Sequence, residues 1–298
     1  MRRKELGETQ TSPHVIILSW PPTIDSFTPE NTTLEINEGE TIQFTHTSSD
    51  PDNDTLTYSW PLDSVERATT QNWTYTSDYD DAGIRNVALV VSDGALTDSQ
   101  QWNVTVLNVN RPPEASNLTI SPSNPLTTDD LAANYTYYDA DGDPDSGTEI
   151  RWYRNGTLQS HLNDTLKVPA NQTTKSEEWY FTVKPKDGLD FGNLQTSPTV
   201  TIQNSLPTAS NLTISPSLPY TTDNLTANYT YTDADGDPES GTEIRWYKNG
   251  FLQPEFNDIS EIPSSATTIG ETWYFTVKPK DGTDLGELQI STAVTVQA

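Results

Sequence analysis

Asn134-Tyr135-Thr136-Tyr137-Tyr138-Asp139-Ala140-Asp141-Gly142-Asp143-Pro144, followed closely by Glu149-Ile150-Arg151-Trp152-Tyr153, is the stretch that decides the fold. Tyr135 and Tyr137 are two residues apart, so on an extended chain they share one face and leave Asn134 and Thr136 on the other. The second segment alternates again, with Ile150 and Trp152 on one side and Arg151 on the opposite side. An Asp- and Gly-rich turn separates the two. Outward from this centre, Asn117-Leu118-Thr119-Ile120 alternates in the same way, and Trp179-Tyr180-Phe181-Thr182-Val183 supplies another aromatic strand. No window carries apolar residues at sustained spacings of three and four, so helix is expected to be essentially absent.

The stretch is also repeated. Residues 115–203 align with 209–297 at a constant offset of 94 without a gap, and about two thirds of the positions are identical, which marks a tandem array. A more distant copy lies upstream, where Asp50-Pro51-Asp52-Asn53-Asp54 precedes Thr57-Tyr58-Ser59-Trp60 and Val91-Ser92-Asp93-Gly94 matches the end of the aromatic strand. Each unit holds about seven strands in roughly 90 residues, with a Trp on the third, which describes an immunoglobulin-like sandwich. The expected fold is therefore all-β: a tail over 1–20 with one extra strand, then sandwiches over 21–110, 111–204 and 205–298. The joints, Asn110-Arg111-Pro112-Pro113 and Asn204-Ser205-Leu206-Pro207, are short and contain proline, which favours a stiff connection.

The tail has its own signal. Glu5-Leu6-Gly7-Glu8-Thr9-Gln10 lines up with Asp190-Phe191-Gly192-Asn193-Leu194-Gln195, so residues 5–18 read as the last strand of a repeat whose earlier part is missing. Two expectations follow. Either the chain is a piece of a longer array, or Thr11, Ser12, Pro13, His14, Val15, Ile16, Ile17 and Leu18 form an assembly strand that adds to the sheet edge of a neighbouring copy.

Composition narrows the function. The 298 residues carry 43 Asp+Glu against 16 Lys+Arg, a net charge of -27, which argues against nucleic acid and anionic membranes as partners. Hydrophobic residues make up only 32 %, but 8 Trp, 13 Tyr and 7 Phe are enough rings to fill several thin cores. No Cys is present, so the sandwiches must hold without disulfides or thiolate metal sites. No run approaches the roughly 18–20 apolar residues of a membrane span, and Val15 to Leu18 is too short for a signal-peptide core, so the chain as written is expected to be soluble, with no export signal of its own.

Three kinds of site were sought. Asp139, Asp141, Asp143 and Asp145 fall on alternate positions around Gly142; Asp233, Asp235, Asp237 and Glu239 repeat them, and Asp50, Asp52 and Asp54 are a shorter version. Oxygen ligands at every second residue of a tight turn suit Ca2+, and Asp187 and Asp281 are expected at the same end of their sandwiches. The alternative is a solvated acidic turn. Twelve Asn-x-Thr sequons, at Asn31, Asn53, Asn72, Asn103, Asn117, Asn134, Asn155, Asn163, Asn171, Asn211, Asn224 and Asn228, exceed the chance expectation about twofold and point to covalent N-linked glycans. Catalysis has little to stand on: His14, His46 and His161 do not recur between repeats and have no metal-binding spacing, and no nucleophile elbow or phosphate-cradling loop appears. Trp152, Trp179, Trp246 and Trp273 are expected in the cores, while Tyr138 and Tyr220 break the alternation and are candidates for a carbohydrate-stacking patch.

SSDPDNDTLTYSW (48–60) and VSDGALTDSQQWNVTVLNVNRPP (91–113) resemble the PKD-like and cadherin-like repeats of archaeal and bacterial surface proteins. DADGDPDSGTEIRWYRNG (139–156) and WYFTVKPKDG (179–188) resemble Ig-like repeats of large exported proteins. In place of the acidic linker of cadherin-like repeats the chain reads Asn108-Val109-Asn110-Arg111. The resemblance implies an extracellular, non-enzymatic structural protein: a filament, sheath, surface-layer or stalk subunit whose partner is its own kind. An adhesin that recognises glycans or other surface proteins, or a spacer from a larger secreted protein, is the other reading.

Overall fold

A computed structural model describes residues 19–298; the expected assembly strand, with Thr11 to Leu18, lies outside the described residues. Three separate hydrophobic cores are present, one per predicted sandwich. The chain divides into two compact units, one ending at Asn110 and one over Arg111–Ala298, so the second and third sandwiches share a unit.

In the first unit the strands are β1 (Thr23–Thr28), β2 (Thr33–Asn37), β3 (Thr41–Ser49), β4 (Thr57–Leu62), β5 (Val65–Ala68), β6 (Trp73–Thr76), β7 (Gly83–Ser92) and β8 (Thr97–Leu107). They form one sheet in the order β1-β3-β6 and another in the order β2-β8-β7-β4-β5. Strand β2 runs parallel to β8, whereas β7 and β8 pair antiparallel over their length. Alternation turns Phe44, Trp60, Trp102, Val87 and Leu89 into the space between the sheets, each at most 1 % exposed. The Trp indoles would strand a donor there. Trp60 Nε1 instead donates to the Thr70 carbonyl at 2.9 Å and Trp102 Nε1 to that of Pro29 at 2.8 Å.

The second unit begins with β9 (Glu114–Ser121), β10 (Leu131–Tyr138), β11 (Glu149–Arg154), β12 (Thr157–Leu158), β13 (Lys167–Val168), β14 (Glu178–Lys184), β15 (Gln195–Thr196) and β16 (Val200–Thr201). Its sheets run β13-β10-β9 and β12-β11-β14-β15, with β16 also on β14. The third sandwich repeats this strand for strand, with Thr208–Ser215, Leu225–Thr232, Glu243–Lys248 and Thr272–Lys278 as the counterparts of β9, β10, β11 and β14. Trp152 and Trp179 meet edge to face at 6.3 Å and 71°, and Trp246 and Trp273 at 6.4 Å and 75°. All four are at most 1 % exposed, so the expectation that they are core residues holds. Among the described residues helix is confined to single 3-10 turns such as Ser160–Leu162 and Ala170–Gln172.

Two local features depart from a simple alternating reading. The edge beside β14 is made of two short strands, β15 and β16, instead of one continuous strand. Between them Ser197 Oγ accepts the Phe181 N–H at 3.0 Å and replaces a ladder bond. Ser291 does the same to Phe275, although Thr292 stands where the second sandwich has Pro198, so the serine and not the proline fixes the break. Between β11 and β12, Asn155 (φ 47°) and Gly156 (φ 75°) form a two-residue hairpin loop with both residues left-handed, the arrangement that Asn-Gly tolerates best.

Candidate functional site

Strand β10 ends at Tyr138, and the chain then folds back on the Asp139 side chain. Asp139 Oδ1 accepts the backbone N–H of Asp141 at 2.8 Å and of Asp143 at 3.1 Å, so the loop is closed by its own first residue. Asp233 binds Asp235 and Asp237, and Asp50 binds Asp52 and Asp54, at the same 2.8 and 3.1 Å. One oxygen of each leading aspartate is thereby engaged. The other, Oδ2 of Asp50, Asp139 and Asp233, is buried without a hydrogen-bond partner, as is Asp235 Oδ1. One carboxylate oxygen from each of Asp139, Asp141 and Asp143 lies within 4.8 Å of the other two, and the same is true of Asp233, Asp235, Asp237 and of Asp50, Asp52, Asp54.

The second aspartate of each loop receives the incoming chain. Asp52 Oδ2 accepts the Trp20 N–H at 2.7 Å, Asp141 Oδ2 that of Arg111 at 2.6 Å, and Asp235 Oδ2 that of Ser205 at 2.7 Å. Arg111 also donates Nε to Asp141 Oδ1 at 2.6 Å and Nη2 to the Ala140 carbonyl at 2.8 Å. At the joint between the second and third sandwiches, Asn204 Nδ2 donates to Asp281 Oδ2 at 2.8 Å and to Asp284 Oδ2 at 3.0 Å. Burial pushes the Asp281 carboxyl up, but the Asn204 bond and the N–H groups of Asp284 and Thr283 outweigh it and hold the carboxyl below its ordinary value.

The preceding sandwich takes part as well. Thr127 and Ser205 share a hydroxyl hydrogen bond of 2.6 Å, and the Lys175 ammonium pairs with the Asp237 carboxylate. That bond, with the nearby charges of Asp235 and Asp233, raises the Lys175 pKa. Close backbone approach completes the joint: a Cβ on Gly286 would stand 1.9 Å from the Pro207 carbonyl oxygen, and one on Gly192 1.8 Å from that of Pro113. The sequence drew attention to the proline in these linkers. It gave no sign of the bonds that Asn204 and Ser205 make, nor of Lys175 or the two glycines, because their partners are distant in sequence.

Some expected ligands are turned elsewhere. Asp145 accepts the Tyr135 hydroxyl at 2.9 Å and the Thr148 hydroxyl at 2.5 Å, and Glu239 accepts the Tyr229 hydroxyl at 2.7 Å; neither belongs to a three-carboxylate group. Burial first, then Asp145, pushes the Tyr135 phenol up to about 12. Asp187 and Asp281 do lie beside their loops, through the bridges Ser146 to Asp187 and Ser240 to Asp281, yet each spends Oδ1 on its own turn. They too are outside the groups. All twelve sequon asparagines are exposed. Tyr138 and Tyr220 are exposed at 60 % and 54 %, but Tyr138 ends β10 beside the Asp loop whereas Tyr220 lies at the opposite end of the next sandwich, so they form no common patch. His46 is buried against the Tyr58 and Trp60 rings, and His161 is hydrogen-bonded to Gln172.

Residues 21–106 match the PKD domain family. No curated protein is significantly similar to the chain. Among solved structures, a three-domain fragment of titin aligns at 11 % identity over 93 % of this chain and 99 % of its own, with a TM-score of 0.32. Extracellular domains 3–5 of Drosophila OTK align at 15 % identity over 90 % and 95 %, TM-score 0.31. The fibronectin(III)-like modules of Clostridium thermocellum CbhA align at 13 % identity over 61 % and 94 %, TM-score 0.25. The chain is an array of three Ig-like β-sandwiches, of which the first carries the PKD match and the second and third repeat one another. No helix among the described residues is long and apolar enough to cross a membrane.

Proposed function

We propose that the chain is a structural element of a glycosylated extracellular surface, such as a filament, sheath, surface layer or stalk, in which the second and third sandwiches are held together as one stiff unit. The observation that carries this reading is the joint at 204–207. A flexible spacer needs only a polar linker that contacts neither neighbour. Here Asn204 and Ser205 are bonded into the third sandwich, and Thr127 and Lys175 reach across from the second. The exposure of every sequon asparagine is consistent with an outer face that carries sugar. Assembly between copies through residues 11–18 belongs to the same proposal, and removing them should abolish any polymer that electron microscopy detects in the intact chain.

The absence of Cys makes the joint easy to test. Leu158 and Leu252 are exposed equivalents in the two sandwiches, and cysteines placed there can carry a spin-label pair in the full chain. A single narrow distance distribution is expected. A distribution as broad as that of an unstructured linker would overturn the structural reading.

A further inference from the structure

We propose that Asp139, Asp141 and Asp143 bind a hard divalent cation of the calcium type, and that the equivalent Asp233, Asp235 and Asp237 do so at the joint. An acidic cluster alone would not carry this, since exposed carboxylates repel mildly and are screened by salt. The second observation is Asp139 itself. The residue is only 9 % exposed, its Oδ1 is engaged by two N–H groups, and its Oδ2 is buried with no hydrogen-bond partner in a loop where one carboxylate oxygen of each of the three aspartates lies within 4.8 Å of the others. Burying a carboxylate oxygen without a hydrogen-bond donor from the protein is costly, and the same atom lacks one in all three loops. Among the described residues no lysine or arginine is paired with Asp139. Arg111 covers Asp141 and Lys175 covers Asp237, which leaves two carboxylates of each group uncompensated within 4.8 Å.

The donor set selects the ion. Only oxygens converge, with no imidazole or thiolate, which disfavours zinc and copper. Three carboxylates on alternate residues of a flexible turn suit the variable six- to eight-fold oxygen shell of Ca2+ better than the strict octahedron of Mg2+. In the third sandwich Asp235 Oδ1 is also unpartnered, whereas Arg111 engages both oxygens of Asp141. The site at 233–237 is therefore the tighter of the two. An ion there shares its loop with Ser205 and Lys175, so it adds a fixed charge where linker, loop and preceding sandwich meet.

The test uses the full chain at low ionic strength, titrated with CaCl2 in a calorimeter and melted with and without the metal. A dissociation constant on the order of 0.1–1 mM is expected, as for extracellular calcium modules. Calcium about a hundredfold above that constant should raise the melting temperature by on the order of 10 °C, and NaCl of equal ionic strength should not. Asp139→Asn and Asp233→Asn keep an amide oxygen for the two N–H groups, so each should lose one equivalent of bound calcium while melting normally in EDTA. Asp143→Asn gives a second route to the first site, and Asp145→Asn, outside the group, should leave the stoichiometry unchanged. Absence of binding heat and of any melting shift beyond the NaCl control overturns the proposal, as does unchanged stoichiometry in the Asp139→Asn, Asp233→Asn double variant. The spin-label distances report on the joint separately, so a loose joint and an absent ion are distinguishable outcomes.

Discussion

Lys175 in the second sandwich is paired with Asp237 in the third, across a joint that its own equivalent in the third sandwich, Ile269, could not make. The two repeats are otherwise closely alike, and this position is one where they differ at the joint. Replacing Lys175 with Met removes the ion pair and keeps most of the side-chain bulk. The spin-label distribution across the joint should broaden, and the melting of the third sandwich should stay the same. Because the pair is partly solvent-exposed, molar NaCl should broaden the wild-type distribution in the same direction. An unaltered distribution in Lys175→Met would assign the joint to Asn204 and Ser205 alone.

Gly286 is held for a different reason. Its φ is not in the left-handed region, so backbone freedom does not explain it; the Pro207 carbonyl occupies the space that a Cβ needs. Gly286→Ala should push the linker off its own sandwich and destabilise the third sandwich by about 2 kcal/mol, in the range of overpacked sites. Gly282→Ala is an informative contrast: it meets only the Ser240 side chain at 3.6 Å, but it sits at φ 92° and pays through the backbone instead. Chemical denaturation followed by Trp fluorescence measures both. A neutral Gly286→Ala would mean that the linker shifts without cost.

How far the sequence could be read follows from these contacts. The strands were legible because alternation is local: Ile150 and Trp152 announce their face, and both are buried. The repeats were legible because an offset of 94 needs no structure. The break in the edge beside β14 was not, because it depends on Ser197 bonding to Phe181, sixteen residues away. The Asp loops were legible as clusters, but which of their carboxylates converge was not. Asp145 and Glu239 continue the alternate spacing, and only the fold shows that Tyr135 and Tyr229 draw them away. The grouping of the second and third sandwiches was hidden for the same reason: it rests on Lys175, Thr127 and Asn204, each of which looks like an ordinary surface residue.

His46 makes the first sandwich sensitive to acid. Burial lowers its pKa from the ordinary 6.5. Above about 6.5 the imidazole is neutral in folded and unfolded chains alike, and its contribution is fully present. Below that value the unfolded chain takes up a proton that the folded one resists, so stability falls until the depressed folded-state pKa is reached. Denaturation midpoints of the first sandwich should therefore drop between pH 7.5 and pH 5.5, and His46→Phe should flatten that slope. An equal slope in the variant would assign the acid sensitivity to carboxylates.

Not every sequon asparagine is there for a sugar, and Asn155 and Asn103 separate the two roles. Asn155 starts the hairpin loop after β11 at φ 47°, and its Oδ1 accepts the Glu178 N–H at 2.8 Å. Asn249 occupies the same position in the third sandwich with φ 49° and the same bond, to Thr272 at 2.9 Å, yet the sequence there is Asn249-Gly250-Phe251 and no sequon exists. Asn155 is thus required by the turn. Asn155→Gln should cost about 1–2 kcal/mol, with or without glycan, through the lost bond and the strained backbone. Asn103 sits on β8 between the buried Trp102 and Val104, its side chain outward and its N–H already paired with the Thr32 carbonyl. Asn103→Gln should change stability by less than about 0.5 kcal/mol. In chain purified from its native host, glycopeptide mass spectrometry should find a sugar on Asn103 and lose it in the variant. If Asn103 is unmodified there, the surplus of Asn-x-Thr is the by-product of a threonine-rich outer face, and the case for a sugar-bearing surface falls with it.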